Sequence, residues 1–128
     1  MAVIARQDAN PSLQAPPNAR PYEHVDLADE AGIYATAAIG DHPGCLELHL
    51  SILRWGPRCA RALRRDLEWL KNLARARGKT RIVGVTIPNG LEPDHRWFKF
   101  TRAFGFDRQQ LHQSAELVLQ PDHKQGPD

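Results

Sequence analysis

The chain has 128 residues, of which 41% are apolar and 25% are charged, and its formal net charge is +2. This length and composition are typical of one globular domain that buries a core without help from metals or disulfides, and two cysteines exclude a disulfide framework. No stretch resembles a membrane span or a signal peptide, so the sequence predicts an intracellular protein.

The small net charge hides a strong asymmetry along the chain. Residues 54–81 contain ten Lys and Arg against two acidic residues, whereas residues 1–53 and 82–128 are both net acidic. A basic segment between acidic flanks suits an anionic ligand, nucleic acid, an acidic partner or pairing within the molecule. We expect one of the last two uses, because neither an aromatic stacking platform nor a helix-turn-helix accompanies the basic residues.

The first segment, residues 1–21, is rich in proline and has no hydrophobic periodicity. It predicts an extended arm, either an unstructured tail or a segment that docks on a partner chain. We expect the folded domain to cover residues 22–120, followed by a short tail at 121–128.

The domain begins with strand patterns. Residues 22–27 predict a short strand, and residues 28–32 a turn. Residues 33–39 and 45–53 then predict a β-hairpin, because apolar residues alternate with polar ones and residues 40–44 are dense in turn formers.

A long helix follows the hairpin. Pro57 suits its first position and Gly78 its end. Trp69 and Leu73 widen an apolar stripe that recurs at steps of three and four residues. That stripe contains Ala60, Leu63, Leu67, Leu70 and Ala74.

The chain then returns to a strand and a shorter helix. Residues 81–87 are β-branched and apolar, which predicts a strand buried on both faces and parallel to the hairpin strand before the helix. Residues 88–93 predict a loop, and Asp94 and Gly105 the ends of a second helix. Its inward face contains Trp97, Phe100, Thr101 and Phe104. Residues 116–120 predict a final short strand.

This order of elements resembles the GNAT (acetyl-CoA N-acyltransferase) fold, in which a hairpin feeds a βαβ crossover in a mixed α/β sheet. The residues that carry the resemblance are Leu48-x-Leu50-x-Ile52, Val85-x-x-x-Asn89 and the Phe100-Thr-Arg-Ala-Phe-Gly-Phe106 ending. It covers residues 33–120, with the N-terminal elements of the fold reduced. The chain is most similar to small GNAT-like proteins encoded among virion-assembly genes of tailed phages, which also pair an Arg-rich helix with an Asn…His-x-Arg-Phe-x-Lys motif, here Asn89…His95-Arg-Trp-Phe-Lys99.

The resemblance implies a place for the cofactor. In active members the turn after the hairpin holds the pyrophosphate of acetyl-CoA on bare backbone and on a helix N-terminus. The corresponding positions are Arg54, Gly56, Arg58, Cys59, Ala60, Arg61 and Asn89. Pro57 and Cys59 stand where the family has glycines; Pro57 lacks an amide donor and Cys59 adds a Cβ atom. We therefore expect no cofactor, or acetyl-CoA if the protein is an enzyme.

Three residues are candidates for catalysis. Glu47 and His49 lie two apart on one strand and so share a face, and a Glu on this strand is the base in some relatives. Thr101 stands where many relatives have a Tyr acid. A polar strand face that is covered by the arm or exposed to solvent has the same pattern of residues, and we prefer this interpretation to a catalytic one.

Two further interpretations concern metals and thiols. His42, Cys45 and His49 suggest a zinc site, but Cys45 and His49 on one strand lie about 13 Å apart, too far to share an ion. We therefore expect no metal site. Cys59 lies near a helix N-terminus among arginines, but we expect a small buried residue.

The function expected from the sequence is a non-enzymatic or weakly active GNAT-fold protein that acts through protein contacts, as a structural or assembly component of a phage virion. The alternatives are an acetyl-CoA-dependent N-acetyltransferase and a binder of the phosphate backbone of nucleic acid. Partners would be other chains in an assembly, bound through the N-terminal arm and the basic helix face. Its expected location is the host cytoplasm or the virion, with no membrane contact.

Overall fold

A computed structural model describes residues 2–11, 13, 21–85, 95–109, 115, 117 and 119. These residues form a mixed five-stranded sheet and two helices, an α+β arrangement. The elements are β1 (Ala2–Arg6), β2 (Glu23–Asp29), β3 (Gly32–His42), β4 (Cys45–Ile52), α1 (Pro57–Ala76), β5 (Arg81–Gly84) and α2 (His95–Ala103). The strands lie in chain order, all antiparallel except for the parallel pair β4–β5. The hairpin and the crossover to a parallel strand are confirmed.

The N-terminal segment differs from its prediction as an extended arm. Residues 2–6 form β1, which pairs antiparallel with β2. Val3 packs against the core, and the Arg6 guanidinium forms an ion pair with Asp26 at 2.9 Å. A strand of five residues has too few apolar side chains to show a period beside the proline-rich residues that follow, so the pattern was hidden.

The β3–β4 hairpin is longer than predicted. Both strands run up to a turn at Pro43 and Gly44, so residues 40–42 belong to β3. Gly44 has φ +83°, a value that favours glycine. At the other end of β3, the Asp29 carboxylate accepts the Ala31 amide at 2.9 Å and stabilises the β2–β3 turn.

Helix α1 begins at Pro57, as predicted, and ends just before Gly78, whose φ is +72°. Four of the predicted stripe residues are buried, and Ala60 is half-buried. Trp69 was wrongly assigned to this stripe, because it is 40% exposed. The buried residues of α1 are Cys59, Ala62, Leu63, Asp66, Leu67, Leu70 and Ala74.

Strand β5 was predicted to be buried on both faces, and this is wrong for its described part. Arg81 is exposed and residues 82–84 are half-buried, because β5 is the last strand of the described sheet. Helix α2 agrees with its prediction, with Thr101 buried and Gly105 at φ +97° after it. Residues 88–93, Asp94 and three residues of the predicted last strand (116, 118 and 120) lie outside the described residues. Leu117 and Leu119 belong to no strand and are exposed.

The two faces of the sheet differ in chemistry. One face packs against α1 and contributes the apolar side chains Val25, Leu27, Ala37, Ile39, Leu46 and Leu48. The register of the β2–β3 pairing shifts between Leu27 and Ala28, at the level of Tyr34 on β3. The Tyr34 hydroxyl donates a hydrogen bond to Asp66 of α1. The opposite face contains the polar residues Asp26, Thr36, Glu47 and His49. Neither helix of the described chain is long and apolar enough to span a membrane.

Candidate functional site

The polar face of the sheet contains a carboxylate surrounded by rings. The Tyr22 hydroxyl donates to Glu47 Oε2 at 3.0 Å, and His42 Nε2 lies 2.8 Å from Glu47 Oε1. His49 Nε2 also contacts Glu47 Oε2. Burial raises the pKa of Glu47, but the hydrogen bonds from His49, Tyr22 and His42 outweigh it and hold the pKa below its usual range. We refer to these four residues as the Glu47 cluster.

Local geometry explains why the cluster forms. Glu47 and His49 share a face because side chains alternate along β4, and the short turn of the hairpin returns His42 to Glu47. Gly40 pairs with Glu47 across the hairpin and leaves room for the Tyr22 ring, because a Cβ atom there would lie 2.9 Å from Tyr22 Cε1. The Tyr22 ring in turn meets the His49 ring edge-on at 5.5 Å between centroids.

The side chains of the Glu47 cluster are of types that exchange protons, but hydrogen bonds already occupy the carboxylate. Both oxygens of Glu47 accept hydrogen bonds, and His49 is only 2% exposed. To act as a general base, Glu47 would first have to release one of these partners. His24 lies in the same row of the sheet, since it pairs with Ala38, which pairs with His49. Its Nδ1 is buried and has no hydrogen-bond partner among the described residues.

A second polar network fixes the turn before α1. The Arg54 guanidinium binds both carboxylate oxygens of Asp29, at 2.6 and 3.1 Å, and donates to the Gly32 carbonyl at 3.0 Å. The hydrogen bond from Arg54 holds the pKa of Asp29 well below its usual range. The Cys59 thiol lies 3.5 Å from Asp29 Oδ2, and burial raises the pKa of this thiol. Arg54 therefore binds Asp29, although the sequence placed it at the cofactor.

The start of α1 is the pyrophosphate site that the resemblance implies, and one of its amide donors is missing. Pro57 has no amide proton, and the Ala60 amide donates to the Gly56 carbonyl at 3.0 Å. Of the four amides that a helix start leaves without an intrahelical partner, those of Gly56, Arg58 and Cys59 remain, and the Cys59 side chain is 1% exposed. Arg58 and Arg61 are exposed. Asn89 lies outside the described residues.

An apolar cleft of about 150 Å³ lies between α1, α2 and strands β4 and β5. Leucines of β4 and α1 and aromatic rings from α2 and Phe106 line it. Thr101 also lines this cleft, but its hydroxyl lies 2.9 Å from the Trp97 carbonyl and 3.1 Å from the Phe98 carbonyl. The hydroxyl proton of Thr101 is therefore used within the helix.

The predicted catalytic residues do not form one site. Glu47 and His49 lie together, as their spacing predicts, on the polar face of β4. Leu48 and Leu50 alternate with them and line the cleft on the other face, where Thr101 also lies. The sheet separates Thr101 from the other two candidates. Among the described residues no group of His, Cys, Asp and Glu side chains is arranged to hold a metal ion.

The sequence interpretation missed Tyr22 and His42 in the Glu47 cluster. The two-residue turn at Pro43 and Gly44 was a signal for His42, because it places residues before and after it side by side. Tyr22 contacts Glu47 across β3, and no spacing within one element indicates such a contact.

An exposed apolar surface borders the cleft at the start of β3 and the end of β4. Its four side chains are Ile33, Ile52, Leu53 and Trp55, exposed by 42%, 38%, 43% and 48%. We name these four residues the apolar rim. Ile52 also lines the cleft, so the two surfaces are continuous. The sequence does not predict the rim, because its patterns place Ile33, Ile52 and Leu53 in strands and Trp55 in a turn.

Comparisons of the chain with protein-family models, with curated proteins and with solved structures found no match.

Proposed function

We propose that this protein is a non-enzymatic GNAT-like protein that acts through contacts with other proteins. The observation that carries the proposal is the start of α1, where a cofactor-binding member of the family needs free amides and cations. Arg54 is held by Asp29, and Pro57 has no amide to offer. A specific anion site needs several directed donors, because diffuse charge from exposed arginines does not orient a diphosphate.

The order and pairing of the elements support the GNAT-like part of the proposal. An antiparallel hairpin leads into α1, and α1 leads into the parallel strand β5, followed by α2. The last described residue pair between β4 and β5 is Leu48 and Gly84. One further hydrogen bond joins the Val85 amide to the Leu48 carbonyl. The environment proposed for this protein is the one that the resemblance implies, a tailed-phage virion or its assembly.

The surface supports a role in protein contacts. The apolar rim leaves four large apolar side chains partly exposed at one end of the sheet, and exposed apolar patches are typical of interaction sites. Arg58 and Arg61 follow Trp55 in the first turns of α1 and are exposed. Aromatic and Arg side chains are enriched at the centres of protein interfaces.

An N-acetyltransferase is the second candidate, and the Glu47 cluster favours it. An ionised carboxylate next to two imidazoles is chemically able to accept a proton, and an apolar cleft lies across the sheet. This candidate requires Glu47 to release a partner and requires a diphosphate to bind where donors are few. We therefore place it second.

Calorimetric titration with acetyl-CoA tests the proposal. We expect no saturable heat up to about 1 mM cofactor. Pro57→Ala restores the missing amide within a helix, so weak binding should appear first in that variant. Stoichiometric binding by the native protein at micromolar concentrations would overturn the proposal and promote the acetyltransferase. Glu47→Gln would then lower the rate of transfer rather than the affinity for acetyl-CoA.

A further inference from the structure

The four residues of the apolar rim lie close together in the fold. Ile52 of β4 pairs with Ala35 of β3, and the Leu53 and Arg54 amides both donate to the Tyr34 carbonyl, at 2.8 and 3.1 Å. These bonds place the chain after β4 beside the start of β3, where Ile33 lies. The four side chains of the rim therefore share one end of the sheet.

Trp55 is exposed but firmly held. Its ring packs edge-on against Phe100 at 5.4 Å and against Phe104 at 6.2 Å between centroids, although 48% of the residue is exposed. A large aromatic side chain that is already ordered loses little conformational entropy when a partner binds. Trp55 therefore has the properties of an interface anchor.

The exposed charges that follow the rim along the chain, Arg58 and Arg61, are positive and are not neutralised within the described part of the molecule. No described carboxylate pairs with Arg58 or Arg61. Three acidic side chains of the N-terminal half bind other cations: Asp29 binds Arg54, and Glu23 and Asp41 bind basic residues that follow α1. The sequence suggested that the basic helix pairs with the acidic flanks. Among the described residues this pairing is made by Arg54 before the helix and by Arg77 and Lys79 after it.

We propose that the apolar rim, together with Arg58 and Arg61, binds an acidic amphipathic segment of another protein. Apolar side chains of that segment would cover Leu53 and Trp55, and its carboxylates would pair with the two arginines. This inference rests on the proposed function, since it names the chemistry of the partner. It also identifies the surface through which the contact is made.

The chemistry of the rim disfavours the two other occupants. A nucleic acid strand needs cations along its backbone and rings on which bases stack, whereas three of the four rim side chains are aliphatic. A second copy bound rim to rim would place two positively charged surfaces at one interface, and like charges at an interface are unfavourable. An acidic amphipathic segment satisfies both the apolar and the charged part of the surface.

The probe is a fluorescent helical peptide of about 15 residues made of Leu and Glu, compared with its Leu and Lys twin. We expect the acidic peptide to bind with an anisotropy change that weakens as salt is raised, and the basic twin not to bind. Leu53→Ser should weaken binding at least about tenfold. Ile4→Ser is the matched control, because Ile4 on β1 is 42% exposed and is not part of the rim.

The charged part has its own pair of variants. Arg58→Glu combined with Arg61→Glu should abolish binding of the acidic peptide, whereas Arg75→Glu at the other end of α1 should change it little. All of these side chains are exposed, so the variants should fold, and their thermal melts check this.

Four results would overturn the inference. They are no binding of the acidic peptide, equal losses in Leu53→Ser and Ile4→Ser, displacement of the peptide by duplex DNA, and self-association of the native protein that Leu53→Ser abolishes. None of them depends on acetyl-CoA. If neither the acidic peptide nor acetyl-CoA binds, only the proposed docking surface is refuted. If acetyl-CoA binds, the proposed function is refuted, whatever the result with the peptide.

Discussion

Asp66 is an acidic residue on the buried face of α1. It is 7% exposed, and the Tyr34 hydroxyl donates to its Oδ2 at 2.7 Å. Burial raises the pKa of Asp66, and the hydrogen bond from Tyr34 opposes this only in part. The folded state therefore holds a proton on Asp66 more tightly than the unfolded state does. This contribution to stability is greatest at low pH and is lost as the pH rises from the unfolded value of 3.8 through the raised folded value.

Two substitutions separate the charge of Asp66 from its hydrogen bond. Asp66→Asn keeps an acceptor for Tyr34 and removes the buried charge, so we expect equal or greater stability at pH 7. Tyr34→Phe leaves the carboxylate without its donor and should lower the free energy of unfolding by about 1–3 kcal/mol. Urea denaturation of both variants and of the double variant measures the coupling. A larger loss in Asp66→Asn than in Tyr34→Phe would contradict this account.

Gly40 is the residue that admits Tyr22 to the polar face. Gly40→Ala places a Cβ atom 2.9 Å from the Tyr22 ring, so the ring must shift and its hydrogen bond to Glu47 must lengthen. We expect a loss of about 1–2 kcal/mol in the free energy of unfolding. Gly56→Ala is the control, because a Cβ atom there meets nothing within 4 Å and its φ of 166° is extended. Equal effects of the two substitutions would show that Tyr22 does not depend on Gly40.

Individual residues also mark how far the sequence could be interpreted. Glu47 and His49 were identified because two residues on one strand share a face, a relation that the chain itself fixes. Asp29 with Arg54 and Tyr34 with Asp66 were missed because each pair is brought together by the tertiary fold. Arg54 shows the consequence, since a cation expected to bind a ligand is held by an acidic residue from another element.

At the scale of elements, β1 is the largest departure from the sequence interpretation. It pairs with β2 along five residues, and Val3 packs against the core. Long elements with a clear period, such as α1 and the hairpin, were predictable within a few residues. The proline-rich residues after β1 hid a short strand whose stability comes from its neighbour rather than from its own pattern.

Removal of β1 tests whether it belongs to the domain. Deletion of residues 1–6 exposes the outer edge of β2 and removes the Arg6 ion pair with Asp26. We expect a loss of at least about 2 kcal/mol in the free energy of unfolding, or aggregation through the new sheet edge. Arg6→Ala removes only the ion pair, and Asp26 keeps its bonds to Asn10 and Thr36. A full deletion no worse than Arg6→Ala would indicate that residues 1–6 are an independent arm.

At the scale of the whole molecule, carboxylates held in ion pairs and hydrogen bonds set the response to acid. For three of five such groups a hydrogen bond from Arg or Lys is the largest effect and lowers the pKa; for the other two burial raises the pKa, and hydrogen bonds outweigh it. The five groups are Glu23, Asp26, Asp29, Asp41 and Glu47. Their contribution to stability is complete above the unfolded values of 3.8 and 4.5 and is lost as the pH falls through the lower folded values.

We therefore expect the urea midpoint of the native protein to be steady from pH 7 down to about pH 5 and to fall steeply below about pH 4. Asp66 acts in the opposite direction, so Asp66→Asn should make the fall steeper. The midpoints of both proteins between pH 3 and pH 7 check the sign. A midpoint that rises on acidification would mean that the ion pairs contribute little.

Binding of a diphosphate at the start of α1 distinguishes an acyltransferase from a protein that acts through contacts with other proteins. The most direct measurement follows the amide resonances of Gly56, Arg58 and Cys59, the donors left at the start of the helix, during titration with coenzyme A. We expect these resonances to remain in place up to about 1 mM ligand, with at most small shifts shared by exposed basic residues. Saturable shifts confined to the start of α1 would show that these three amides and the nearby arginines suffice to bind a diphosphate, and would contradict the account.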